Sequence, residues 1–227
     1  MADERIRDAC WEWASPPQTD EGWERFAARV AEAPEEFWES VRQFISEAPD
    51  VPNARLFGGA LVALVELGGT WPERVAEAAR HDARLASTLE DALMDDGRTY
   101  RLLGRQALVD AWVRYQSGES PWDSWASEML VGDSWLNDHD ERWALILELA
   151  DAAPDDDVIA MVGVGPVEDF LSRDWRSAIE RIERDAPRHA KLRQALWSVW
   201  QLGGVPPSVI ERVHRAANQP PGTPHRF

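Results

Sequence analysis

Apolar residues recur every three or four positions through nearly the whole chain, the spacing that gives an α-helix one buried face. One such stripe is Ile6, Ala9, Cys10 and Trp13, and another is Phe37, Val41, Phe44 and Ile45. Leu108, Ala111, Trp112 and Tyr115 repeat the pattern, as do Trp143, Ile146, Leu147 and Ala150. Near the end come Leu192, Ala195, Leu196, Val199 and Trp200, then Val209, Ile210 and Val213. No run alternates apolar and polar residues, so the pattern predicts an all-α fold without strands. Helix-end signals agree. Thr70-Trp71-Pro72-Glu73 has the form of a capping box, and Ser120-Pro121 places a cap before a first-turn proline. Asn137 and Asp140 are suited to start the helix carrying Trp143. Pro34, Pro49, Pro154 and Pro187 mark breaks, because proline lacks an N–H and clashes with the preceding turn. Asp95-Asp96-Gly97 reads as a turn near mid-chain.

The two halves correspond at a nearly constant separation. Phe37 pairs with Trp143, Ala48-Pro49-Asp50 with Ala153-Pro154-Asp155, and Leu61, Leu64 and Val65 with Val167, Phe170 and Leu171. Val75, Leu85 and Leu89 pair with Ile182, Leu192 and Leu196, at separations of 105 to 107 overall. Upstream, Asp8-Ala9 and Trp13 pair with Asp110-Ala111 and Tyr115 at 102. The expected architecture is therefore two diverged copies of a four-to-five-helix unit, residues 1–97 and 98–217, stacked as a helical-repeat-like bundle with a disordered tail at 218–227. Much of the shared apolar seam would come from the 13 tryptophans.

Charge narrows the function. With 41 acidic against 24 basic residues the net charge is −17, so phosphate-directed binding to nucleic acid and adhesion to anionic membranes are not expected. A basic or cationic partner is. The apolar run Ala60 to Val65 is stopped by Glu66, well short of the ~20 residues a membrane span needs. The opening residues Met1-Ala2-Asp3-Glu4-Arg5 lack the pattern of a secretory signal. A single cysteine, Cys10, permits neither an internal disulfide nor a cysteine metal cage, and a reducing cytoplasm fits best. Arginine in place of lysine, with Lys191 alone, suggests a GC-rich bacterial genome. Charge is also segregated. From Tyr115 to Ser172 there are 14 acidic residues and one basic residue, Arg142, whereas Arg173 to Arg215 holds nine basic and five acidic.

Candidate sites follow from that acidic block. Trp122, Trp125 and Trp135 among Asp133, Asp138, Asp140, Glu141, Asp155, Asp156 and Asp157 have the composition of a protein-binding face. Asp155-Asp156-Asp157 lacks the alternate spacing, glycine and distal glutamate of an EF-hand, and is expected at a helix N-terminus. Gly163-Val164-Gly165-Pro166-Val167-Glu168 is not a dinucleotide loop: Glu168 stands where the third glycine belongs. A helix start, with Pro166 in its first turn and Glu168 and Asp169 favoured by the dipole, is the expectation there. Glu168, Asp169 and His139 are weak candidates for a metal site, since no His-Glu-x-x-His spacing is present. No cofactor is implied, and Cys10 is expected to be packed.

The stretch from Leu108 to Trp200 resembles an uncharacterised bacterial family known only as a domain of unknown function. The residues that carry the resemblance are Trp112, Trp143-Ala144-Leu145-Ile146, Ala153-Pro154-Asp155-Asp156, Gly163-Val164-Gly165-Pro166-Val167-Glu168-Asp169-Phe170-Leu171 and Leu192, Trp197 and Trp200. Phe57-Gly58-Gly59-Ala60-Leu61 in the first half lacks the proline and the Glu-Asp pair. The resemblance implies no activity. The expected function is a non-enzymatic interaction module that binds a basic protein partner through an acidic helical surface. Small acidic bacterial proteins that neutralise toxins are the analogy. The alternative is an enzyme or divalent-metal-binding protein with its site near Glu168, Asp169 and His139.

Overall fold

A computed structural model describes residues 4–15, 19–93, 97–131, 138–200 and 203–218. Asp133, Trp135, Asn137, the Asp95-Asp96 pair and the tail beyond 218 lie outside the described residues. The fold is all-helical, with no strand among the described residues. It divides into two compact units, Met1–Leu108 with Ser120–Trp125 and Val109–Glu119 with Ala126–Phe227.

The first unit contains α1 (Glu4–Ala14), α2 (Asp20–Glu32), α3 (Pro34–Glu47), α4 (Val51–Arg55), α5 (Gly58–Glu66), α6 (Trp71–His81), α7 (Ala83–Leu93) and α8 (Arg98–Leu103). At its centre lies α5, apolar on every side, with Ala60 to Leu64 all buried against α1, α2, α3, α6 and α7. Gly58 permits one of these approaches. A Cβ there would fall 2.6 Å from Ala92 Cβ and 3.1 Å from the Thr88 carbonyl of α7. Trp13, Trp23, Phe26 and Phe37 form a chain of aromatic contacts, and Phe44 stacks on Phe57. Asp50 caps α4 by accepting from the Asn53 N–H at 3.0 Å. Arg84 of α7 donates to the Ser46 and Ala48 carbonyls, at 2.6 and 2.8 Å, and so closes the C-terminal end of α3. The capping box expected at Thr70 does not form. Thr70 makes no side-chain cap bond, and Glu73 pairs instead with Arg80, 2.8 Å away.

Helix α9 (Arg105–Gln116) begins in the first unit and continues in the second, which then holds most of α10 (Ser124–Val131). There follow α11 (His139–Ala152), α12 (Asp156–Val162), α13 (Glu168–Asp185), α14 (Ala190–Ala195), a 3₁₀ turn at Leu196–Ser198 and α15 (Pro207–Ala216). The segment expected to start a helix does not start one. Gly163–Val167 is a π-turn that joins α12 to α13, with Pro166 inside it. A π-turn bonds i to i+5, so its ladder accommodates a residue without an N–H better than an unbroken α-helix does. Gly163 is required by contact: its Cβ would lie 2.1 Å from the Ala195 carbonyl oxygen and 3.2 Å from Ser198 Cβ. Farther on, α13 is kinked at Asp174 (φ −147°, ψ 74°), whose carboxylate accepts from the Ser177 N–H at 3.3 Å and caps the helix that resumes. Lys191 donates to the Asp151 and Ala153 carbonyls, at 2.8 and 2.7 Å, closing α11. Within the predicted stripes, Trp13, Phe44 and Leu147 are only half-buried, and Tyr115 and Trp200 are exposed.

Candidate functional site

In the second unit a row of polar contacts joins the first turns of α11 to α13. His139 Nδ1 lies 3.2 Å from Asp174 Oδ2, and Asp140 accepts from Arg181 at 2.6 Å. Arg142, only 8% exposed, donates to Asp169 at 2.9 Å, and Arg173 donates to the same oxygen at 2.7 Å. The Trp143 indole donates to Asp185 at 2.7 Å. Four of five consecutive α11 residues are thus tied to α13, and Phe170 packs edge-on to His139 between them. The Arg184 guanidinium, then the Trp143 indole, hold the Asp185 carboxyl below the usual carboxylate range.

These contacts change how the charge blocks read. Arginines of the basic block fold back on acids 41 and four residues earlier, Arg181 on Asp140 and Arg173 on Asp169. Asp138 caps α11 by accepting from the Asp140 and Glu141 N–H groups, and those bonds lower its pKa. Asp155 caps α12 through the Val158 N–H, and Asp156 accepts from Gln194 at 2.6 Å. Asp151 and Asp155 to Asp157 remain exposed where α11 gives way to α12. Trp122 and Trp125 belong to the first unit. Trp122 lies under the Arg84 guanidinium at 4.8 Å, and Trp125 is buried, so Trp125 is core and no contact face. Glu168, Asp169 and His139 are each turned to a different protein group, and no cluster of three metal-ligating side chains occurs among the described residues.

A second feature was not expected from the stripes. Met161, Trp197 and Trp200 are large, apolar and exposed, at 41%, 50% and 40%. Met161 lies on α12, which packs on α14 and the 3₁₀ turn that carries Trp197. Both tryptophans are anchored: Trp197 Nε1 donates to the Ala217 carbonyl at 2.8 Å, and the Trp200 N–H donates to Glu168 at 2.7 Å. The signal in the sequence was the end of the helix. A 3₁₀ turn has three residues per turn, so a 3.6-residue stripe cannot be extended through it.

Residues 114–220 match a family of unknown function, DUF6869. That span includes every α11–α13 contact described above, and Trp197 and Trp200. Neither the curated proteins nor the solved structures contain a match to the chain. No described helix is long and apolar enough to cross a membrane.

Proposed function

We propose that the chain is a non-enzymatic interaction module, built from two diverged copies of one helical unit, whose second unit binds a basic protein partner through its acidic surface. Recurrences at near-constant separation support the copy relationship. Helices α3 and α11 are each 14 residues long and start 105 residues apart. Buried positions coincide at that separation: Phe37 with Arg142, Trp38 with Trp143, Ser40 with Leu145, Val41 with Ile146, Ile45 with Ala150. This register pairs Trp38, and not Phe37, with Trp143. The capping residues Asp50 and Asp155 are also 105 apart, and the helix-closing cations Arg84 and Lys191 are 107 apart. Gly58 approaches the Thr88 carbonyl as Gly163 approaches that of Ala195. Beyond Gly163 the separation becomes 106, with Leu61 matching Val167 and Leu64 matching Phe170. One inserted residue is what a π-turn adds to an α-turn.

The observation that carries the functional reading is the exposed carboxylate group Asp151, Asp155, Asp156 and Asp157 in a chain of net charge −17. A small basic toxin is the kind of partner this surface suits, and a reducing cytoplasm is the setting in which a lone, buried Cys10 is unproblematic. The enzyme or metal reading at Glu168, Asp169 and His139 has no supporting observation, because protein groups engage all three. Titration with a small basic protein tests the proposal. Association should weaken at least about tenfold between ~0.05 and ~0.5 M salt; affinity unchanged over that range would refute it.

A further inference from the structure

We propose that a cleft of the first unit, bounded by α1, α3 and the junction of α4 with α5, binds a small amine that carries an aromatic ring. The cleft belongs to the other unit than the acidic surface, and its occupancy does not depend on the basic partner. Trp11, Phe44, Leu56 and Phe57 line one cavity of about 240 Å³, with Arg7 and Glu47 also on its wall. A cavity of about 150 Å³ accommodates benzene, so this one has room for a ring and a short chain. Its walls suit a flat apolar group. Phe44 and Phe57 are stacked, with ring centroids 4.9 Å apart and an interplanar angle of 11°, and Trp11 is 60% exposed. An aromatic guest covers apolar surface that otherwise faces water, and it gains ring–ring contacts.

Charge selects the polar end of the guest. Arg7 is the one cation among the described residues that line the cavity, and it lies 3.5 Å from Glu4 and 4.0 Å from Asp8. Its charge is therefore already countered. Glu47 accepts from the Gln43 amide at 2.8 Å and has no ion-pair partner among the described residues. A carboxylate entering here would meet a neutralised guanidinium and an uncompensated acid. An ammonium would meet that acid favourably and rest against the face of Trp11. The net charge of −17 favours the same sign at longer range. Under the duplication proposed above, Phe44, Asn53 and Phe57 of this cleft match Leu149, Val158 and Val162 at a separation of 105, and those three are buried. Glu47 matches Ala152, which has no charge to offer. The aromatic walls and the carboxylate thus belong to the first unit and are not required by the shared helical pattern.

The probe is 2-phenylethylamine, titrated by calorimetry at low salt beside the neutral 2-phenylethanol and the anionic 3-phenylpropionate. Wild type should bind the amine with a Kd at or below about 1 mM. It should bind the alcohol at least about threefold more weakly and the carboxylate more weakly still. Trp11→Ala should weaken the amine at least about fivefold. Glu47→Gln should abolish the preference for amine over alcohol and leave the affinity for the alcohol unchanged. Both side chains are exposed, so both variants should melt at the wild-type temperature. Failure of wild type to bind the amine would overturn the site, as would Trp11→Ala binding it as tightly as wild type. Carboxylate bound as well as amine, or a preference that survives Glu47→Gln, would overturn the choice of guest.

Discussion

Substituting alanine at Gly163 should destabilise the second unit, and the same change two residues later should not. At Gly163 the new methyl would sit 2.1 Å from the Ala195 carbonyl oxygen, 3.0 Å from its carbon and 3.2 Å from Ser198 Cβ. Two of those three atoms are backbone, so no rotamer change relieves the overlap; α14 must move away from α12. Overpacking of this kind costs about 1–3 kcal/mol, and a required backbone shift puts Gly163→Ala near the top of that range. In a chain of this size each kcal/mol lowers the melting temperature by roughly 2–4 °C, so a fall of about 6–12 °C is expected. At Gly165 nothing lies within 4 Å of a Cβ, and its φ is not positive. There alanine gains helix propensity of roughly 0.5–1 kcal/mol. Thermal unfolding followed by circular dichroism, with urea titration as a second measure, reads both. Wild-type stability for Gly163→Ala, or equal losses at the two positions, would refute the π-turn packing described here.

Other outcomes follow from the same contacts. Asp169→Ala deprives the buried Arg142 of this carboxylate and should cost about 1–3 kcal/mol, reduced by the partial exposure of Asp169. R142F/D169A, which installs the residues that the proposed duplication pairs with these positions, Phe37 and Ala63, should recover most of that loss in a double-mutant cycle. Trp143→Phe removes a hydrogen bond to a charged acceptor and should cost about 1–3 kcal/mol at neutral pH. Because the Asp185 carboxyl is held low, its stabilisation is present above about pH 4 and lost as pH falls through its folded-state value; the gap between Trp143→Phe and wild type should therefore narrow in acid. Burial pushes the Cys10 thiol up to about 12 from 9.0. A thiol reagent at mildly alkaline pH should react with it only after denaturant is added. Above pH 9.0 the unfolded chain ionises first, so stability should decline from there toward pH 12.

The helices and much of the core were readable because each stripe is a burial pattern: Val41 and Ile45, Ile146 and Ala150, and Val209 to Val213 are buried where the 3.6-residue period puts them. Three features were not readable, each for a physical reason. Gly163 to Asp169 has the composition of a helix start, and composition does not distinguish a first turn from an i→i+5 turn inside a continuing helix. The Arg142–Asp169 and Arg181–Asp140 pairs join residues 27 and 41 apart, so the charge blocks look more segregated along the chain than they are in space. Trp200 falls on an apolar stripe, yet α14 ends at Ala195 and the 3₁₀ turn leaves that ring in solvent. Of the expected contact residues, Asp155, Asp156 and Asp157 are exposed, whereas Trp125 is buried and Asp140 is engaged by Arg181.

Hydrogen exchange of the chain, free and saturated with a small basic protein, tests the acidic binding surface most directly. Slowed exchange should be confined to residues 148–160 in the second unit, around the exposed Asp151, Asp155, Asp156 and Asp157, with residues 4–93 unchanged. Protection concentrated in the first unit, or none in that segment of the second, would contradict the account.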